Sequence, residues 1–279
     1  MHYLRQDRGF YRNAIALMLP MILQNLVTNF MALADTFMVG ILGETELAAV
    51  SMANSAFFVL SLVIFGIQSG TGVLVAQYYG KGRLDAINRI MGMGYYVSIG
   101  LTTVVALLAC LFPMQMMRIV TNNPDLWEPG AEYARIVGFS YVCMSFSGVY
   151  IAVQRSMENP KLGAILLTVS GALNILLNYM LIFGKLGAPA MGCAGAAVAT
   201  LISRAFEVVV ILGCMLWSKR LPINPRLMAK PGKLIAGDFM KYSLPVVLNE
   251  GMWSLAMSLY SIIMGHMPNS TPILAAYTI

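Results

Sequence analysis

The sequence predicts an all-α fold, a polytopic helical bundle set in a membrane, and three observations carry that prediction. Of the 279 residues 58% are hydrophobic and 11% charged, with a mean hydropathy of +0.73, whereas soluble domains average about 25% charged residues. Apolar runs long enough to cross about 30 Å of hydrocarbon, which takes roughly 20 helical residues, recur along the chain. Lys and Arg gather in the segments between those runs, and their abundance alternates from one segment to the next.

The predicted spans lie at 14–40, 52–78, 91–112, 133–154, 163–183, 194–217 and 242–267. Gly and Pro inside them are tolerated, as in membrane helices generally. The first run is too long for the core of a signal peptide and no small-residue cleavage site follows it, so it reads as a retained span. Arg5, Arg8 and Arg12 precede it, and Lys81, Arg83 and Arg89 follow the second span. Arg155 and Lys161 follow the fourth, and Lys219, Arg220, Arg226, Lys230, Lys233 and Lys241 follow the sixth. The other side holds only Arg118, Arg135 and Lys185. The positive-inside rule then predicts a cytoplasmic N-terminus, in a protein of the plasma membrane. The net charge of +6 thus belongs to a solvated face beside a lipid bilayer. With no single basic patch and no nucleic-acid motif, it argues against nucleic acid as a partner. Cys110, Cys143, Cys193 and Cys214 lie in or beside apolar runs without CxxC spacing, and read as small hydrophobes rather than disulfides or zinc ligands.

Acidic residues sort differently from basic ones. Most fall in the connecting segments, but Asp35, Glu207 and Glu250 fall within predicted spans. No Lys or Arg occurs between Arg12 and Lys81, so Asp35 has no nearby cation in sequence to neutralise it. An ionised Asp in mid-membrane costs about 2.5–3.5 kcal/mol on insertion scales. Burial disfavours the charged form of a carboxyl, so such a group is suited to take up and release a proton near neutral pH. Asp35 is therefore the first candidate for a proton or cation relay; its plainer role is a hydrogen bond to a neighbouring helix. Glu207 follows Arg204 by three residues on one helical face, which predicts an intramembrane ion pair. Glu250 has no such partner in its span and stands beside Asp35 as a candidate. Asn174 and Asn178 are four residues apart and share a face. They act either as interhelical glue, at about 0.6 kcal/mol per polar contact, or as a polar cluster with Asp35. Gly192 to Thr200 forms a small-residue helix start that favours close packing, and Thr200 offers the cluster one more oxygen.

An internal repeat organises the whole. A shift of 225 positions aligns Leu19-Pro20 with Leu244-Pro245, Leu23 with Leu248 and Gly40 with Gly265. Parallel repeats of this kind are a transporter architecture. The predicted domains are a six-helix lobe over 1–217, a basic cytoplasmic linker over 218–241, and the first span and start of a second lobe over 242–279. The rest of that lobe is expected beyond Ile279, which would make a truncated twelve-span, two-lobe protein.

Taken in order, Pro20 and Asp35 of the first span, the run from Glu46 to Val50, Gln77 to Gly82, Arg155 with Asn159-Pro160-Lys161, Asn174 to Asn178, Gly195 to Thr200, and Pro245 with Asn249-Glu250 resemble a multidrug and toxic compound extrusion (MATE) transporter. The resemblance implies two six-helix lobes about a central cleft, and antiport of organic cations, drugs or other amphiphiles against H⁺ or Na⁺, with no other cofactor. It implies Asp35 as the first-span coupling acid, Asn174 and Thr200 as its cluster, Glu250 as the acid of the seventh span and Pro20 as the hinge. Asn178 departs from the pattern, since members with sodium in this lobe tend to carry Asp there. Na⁺ at Asp35, Asn174 and Thr200 stays open, but one carboxylate among amides favours a proton. Two alternatives remain: a flippase for lipid-linked oligosaccharides, which would need a cationic cleft where the spans offer little beyond Arg204, and a non-transporting membrane scaffold. An enzyme is disfavoured, because His2 and His266 are the only histidines and neither sits with a nucleophile or metal motif.

Overall fold

The computed structural model describes residues 8–218 and 221–265. They form nine α-helices and one short 3₁₀ turn: α1 (Arg8–Gly40), α2 (Glu44–Gly80), α3 (Leu84–Leu111), α4 (Pro113–Val120), the turn Pro124–Leu126, α5 (Trp127–Ser156), α6 (Pro160–Phe183), α7 (Gly192–Trp217), α8 (Pro225–Ala229) and α9 (Lys233–Gly265). Proline opens α4, α6 and α8, where its missing N–H costs nothing. Gly184, in the left-handed region at φ 65°, closes α6, a conformation that Gly adopts without steric penalty.

Six helices among the described residues are long and apolar enough to cross a membrane: α1 from Ile15, α2, α3, the stretch Pro124–Ser156, α6 and α7. They coincide with the first six predicted spans. Each outlasts the prediction at one or both ends, because helices continue past the hydrocarbon into charged flanks; α3 alone also stops one residue short, at Leu111. The seventh predicted span is helical as α9 up to Gly265, while its residues 266 and 267 lie outside the described residues. α9 already begins at Lys233, inside the segment predicted as linker. Both α1 and α9 carry a proline within the helix, Pro20 and Pro245, at equivalent points of the repeat.

α5 is the central pillar and touches α2, α3, α6 and α7. One core cluster gathers Leu74, Ile87, Met91, Tyr150 and Ile211; a second gathers Phe57, Ile64, Ala134, Ile182 and Ala197. α7 meets α6 where a Cβ on Gly195 would strike the Leu181 backbone. α1 stands at the margin and packs chiefly along α6. Between Leu17 and Met38, shelter is confined to a stripe through Leu17, Pro20, Met21, Gln24, Val27, Met31, Ala34, Asp35 and Met38, while Leu19, Leu26, Phe30, Leu33 and Phe37 face outward. That periodicity of three and four makes one helical face the whole of its attachment there.

The segment after α7 is pinned to α3 by polar contacts. Asn88, buried, donates to the Pro222 carbonyl at 3.1 Å and accepts from the Asn224 N–H at 3.1 Å. Arg89 donates to the Lys230 carbonyl at 2.9 Å and Tyr96 to that of Ala229 at 3.2 Å. Replacing Asn88→Leu strands one carbonyl and one N–H, at about 1–3 kcal/mol for a buried unpaired group. The expected result is a lower thermal unfolding midpoint in detergent and faster proteolysis between α7 and α9, read by scanning fluorimetry and gel electrophoresis.

Candidate functional site

The site is assembled on α6. Asn178, Asn174 and Ser170 recur every four residues and so form one polar stripe along a helix whose other residues are mostly apolar. Facing it, α7 presents Thr200, Ser203, Arg204 and Glu207. Between these stripes, α1 and α5 lies a cavity of about 370 Å³, with Asp35 and Met31 of α1 and Tyr133 and Tyr141 of α5 in its wall. Close approach of α1 is allowed by Gly171, since a Cβ there would overlap the Met31 side chain.

At one end, Asp35 accepts a hydrogen bond from Asn178 Nδ2 at 2.6 Å. The same amide donates weakly to Asn174 Oδ1 at 3.4 Å, and Asn174 Nδ2 reaches Thr200 Oγ1 at 3.5 Å. Asn178 is fully buried, and its Oδ1 has no hydrogen-bond partner among the described residues. Close by, Tyr133 donates to Asn54 Oδ1 at 3.3 Å across α5 and α2. In this arrangement Asn178 turns an N–H toward the one carboxylate of the group.

At the other end, Glu207 is 1% exposed and carries three partners. Arg204 Nη1 donates to Oε1 at 2.8 Å, Ser170 Oγ to Oε1 at 2.7 Å, and Ser147 Oγ to Oε2 at 2.9 Å. The ion pair predicted from sequence forms, and it ties α5, α6 and α7 together. Full pairing is what a buried carboxylate requires, since loss of one partner from a buried ion pair costs about 3–5 kcal/mol.

Asp35, Asn174, Asn178 and Thr200 thus meet in one cluster, with Arg204 and Glu207 sharing its cavity. Glu250 stands apart: it is half-buried on α9, which packs on α2, and has no side-chain partner among the described residues. Pro20 lies fifteen residues before Asp35 in α1, about 22 Å away along a helix rising 1.5 Å per residue. Sequence reading missed Ser170, Ser147, Asn54 and Tyr133. Ser170 was discoverable, being one more step of four down the Asn178–Asn174 stripe, and so were Tyr133 and Ser147, which recur with Ser140 every seven residues on α5.

The chain matches the MatE family model over residues 20–180. It is 29% identical over 203 residues to the probable multidrug resistance protein YoeA of Bacillus subtilis, an overlap covering 72% of this chain and 44% of that protein. Among solved structures, a MATE in complex with MaD3S superposes with a TM-score of 0.84 at 22% identity over 95% of this chain and 59% of that one. The outward-facing conformation of a multidrug resistance MATE family transporter of the MOP superfamily gives 0.81 at 23%, over 90% and 55%. These likenesses show a shared helical fold, and the chain spans about half the length of the proteins it matches.

The Glu207 network makes a measurable prediction. Ser170→Ala and Ser147→Ala each remove a hydrogen bond to a charged group, at about 1.5–3 kcal/mol. Because both serve one carboxylate, the double variant is expected to lose a different amount from the sum of the two singles. Chemical unfolding of all three variants in micelles checks this.

Proposed function

The chain belongs to the MatE family, and from that premise we propose that it supplies the N-terminal lobe of a cation-coupled antiporter that exports small amphiphilic, mainly cationic compounds. Residues 1–217 form the lobe, 218–241 an inner linker, and 242–279 the start of a second lobe. The asymmetry of Lys and Arg supports a cytoplasmic N-terminus in the plasma membrane.

The observation that carries the coupling role is the Asp35–Asn178 bond at 2.6 Å inside the cavity, beside an unpaired Asn178 Oδ1. Ionised Asp35 accepts from the amide and thereby holds α1 against α6. A proton added to that carboxylate removes the charge that strengthens the bond from Asn178: on Asp35 Oδ2 it leaves Asp35 Oδ1 a weaker, neutral acceptor, and on Asp35 Oδ1 it sets an O–H against the N–H of Asn178. Rotation of the amide brings Oδ1 round to accept the new proton but gives up the donation to Asn174. The α1–α6 seam is thus weakened or rearranged by one protonation. α1, attached along a single stripe, bends near Pro20, where the helix lacks a backbone donor. The cavity narrows and cargo leaves outward; release of the proton to the inside resets the cycle. The ion shifts the two states only by its differential affinity for them, and here the difference is the partner set of one carboxyl. The same donor set favours H⁺ over Na⁺. Met31 and Met144 in the wall suit varied cargo, since Met repacks easily around different shapes.

Asp35→Asn keeps the hydrogen bond and removes the titration. It is expected to abolish proton-coupled dye efflux from everted vesicles while leaving expression and helix content unchanged. In the purified protein, the pH-dependent carboxylic-acid infrared signal should lose one component, seen in the difference between the unmodified chain and the variant. Undiminished efflux, or no such difference, refutes the assignment.

A further inference from the structure

A groove of about 620 Å³ lies away from the polar cluster, between α3, the end of α7 and α8. Gly92, Tyr96, Ile99 and Gly100 of α3, Met215 of α7 and Met228 of α8 form much of its wall. Two glycines shape it. A Cβ on Gly92 would strike the Met228 backbone, so α8 seats closely there, whereas a Cβ on Gly100 would meet nothing within 4 Å. Tyr96 and Gly100 also begin an exposed stripe of α3 that continues through Val104, Leu107 and Leu111. These residues are three and four apart and share one helical face. Beyond Tyr96 that face is apolar, as a surface against acyl chains must be. The other end of the groove carries charge. Arg226 and Lys230, both exposed, directly follow the lining residues Pro225 and Ala229, and Arg89 lies three residues before Gly92. These groups are held in place, since Arg89 donates to the Lys230 carbonyl and Tyr96 to that of Ala229. Among the described residues none of these cations forms an ion pair, and Asp85, one turn before Arg89, is no exception.

We propose that this groove seats an anionic phospholipid from the leaflet on the basic side, with one acyl chain along α3 and the phosphate at Arg226, Lys230 and Arg89. The dimensions fit. Gly92 to Gly100 covers about 12 Å by helical rise, close to one leaflet's half of a hydrocarbon core about 30 Å thick. Charge selects among occupants. A zwitterionic lipid or an apolar helix would fill the groove but leave the cations without a counter-charge, whereas basic pockets beside membrane spans bind anionic head groups. The guanidinium of Arg226 matches a phosphate by its planar fork, and Lys230 adds a point charge beside it. A lipid so placed joins α3 to the segment between α7 and α9. The inference needs only a membrane-spanning bundle and stands apart from the coupling role of Asp35.

Native mass spectrometry of the full chain released from micelles tests this, with dioleoyl phosphatidylglycerol or dioleoyl phosphatidylcholine titrated in. The anionic lipid is expected to bind more tightly. Arg226→Gln combined with Lys230→Gln should weaken phosphatidylglycerol by about tenfold or more, each such charge being worth about fivefold, and leave phosphatidylcholine little changed. Lys81→Gln combined with Lys161→Gln removes the same charge from the basic side at residues that do not line the groove, and should have little effect. Gly100→Phe sets a ring in the open groove while the cations remain. It should weaken phosphatidylglycerol about fivefold or more, the worth of one or two buried CH₂ groups. Circular dichroism checks that every variant keeps its helix content. Equal binding of the two lipids overturns the proposal and leaves the groove to an uncharged occupant. An equal loss in the Lys81 and Lys161 control overturns it in favour of diffuse attraction to the basic face. Undiminished binding by Gly100→Phe overturns it too, since the head group would then bind without a chain in the groove.

Discussion

A carboxylate held in hydrocarbon must find its hydrogen-bond donors inside the protein, and both acids of this cavity find one on the same face of α6. Asn178 serves Asp35 and Ser170 serves Glu207, two turns apart on one helix, with Asn174 between them reaching α7. The polar stripe explains why α6 can be almost wholly apolar elsewhere and still organise the lobe. It also explains why α1 and α7, which bring the acids, each pack far more against α6 than against each other. The driving force for such packing in lipid is van der Waals contact and polar pairing, not burial from water. Small residues at Gly171 and Gly195 let the backbones come near enough for both.

The two acids are held in different ways, and the difference divides their roles. Glu207 is locked by three donors from three helices, one of them a cation. Any change there disturbs α5, α6 and α7 together, which suits a fixed structural counter-charge. Asp35 has one strong donor, on a helix joined to the bundle by a single stripe. A change there moves little besides α1. For the coupling proposed above, a switch belongs where few contacts oppose it, and among the described residues α1 has fewer such contacts than α7.

Repetition extends this logic to the far end of the chain. α9 carries Pro245 where α1 carries Pro20, and Glu250 lies five residues beyond its proline while Asp35 lies fifteen beyond its own. The two helices therefore share a proline position but not an acid position. α9 meets α2 closely at Gly66 and Gly70, where a Cβ would strike Val247 and Ser243. Asn88 and Arg89 meanwhile hold the preceding segment to α3. The described residues between α7 and α9 are thus packed against α3 rather than free of it.

Much was legible from residues alone, for a physical reason. Membrane helices must be long, continuous and apolar, so the candidate spans and the acids within them are written in local sequence. The i, i+3 ion pair of Arg204 with Glu207 and the i, i+4 pair of Asn174 with Asn178 are equally local, because helical geometry alone puts such residues on one face. Tertiary structure decided how the helices join in detail. The asparagines of α6 could be set beside Asp35 from the sequence and the family resemblance, but that Asn178, 143 residues away, is the one that bonds it was not readable there, and nothing near Glu207 points to Ser147. That Asp35, Arg204 and Glu207 all line one cavity depends on the rotation and depth of each helix against its neighbours. Those are set by small-residue contacts spread across the chain, which no single stretch of sequence contains.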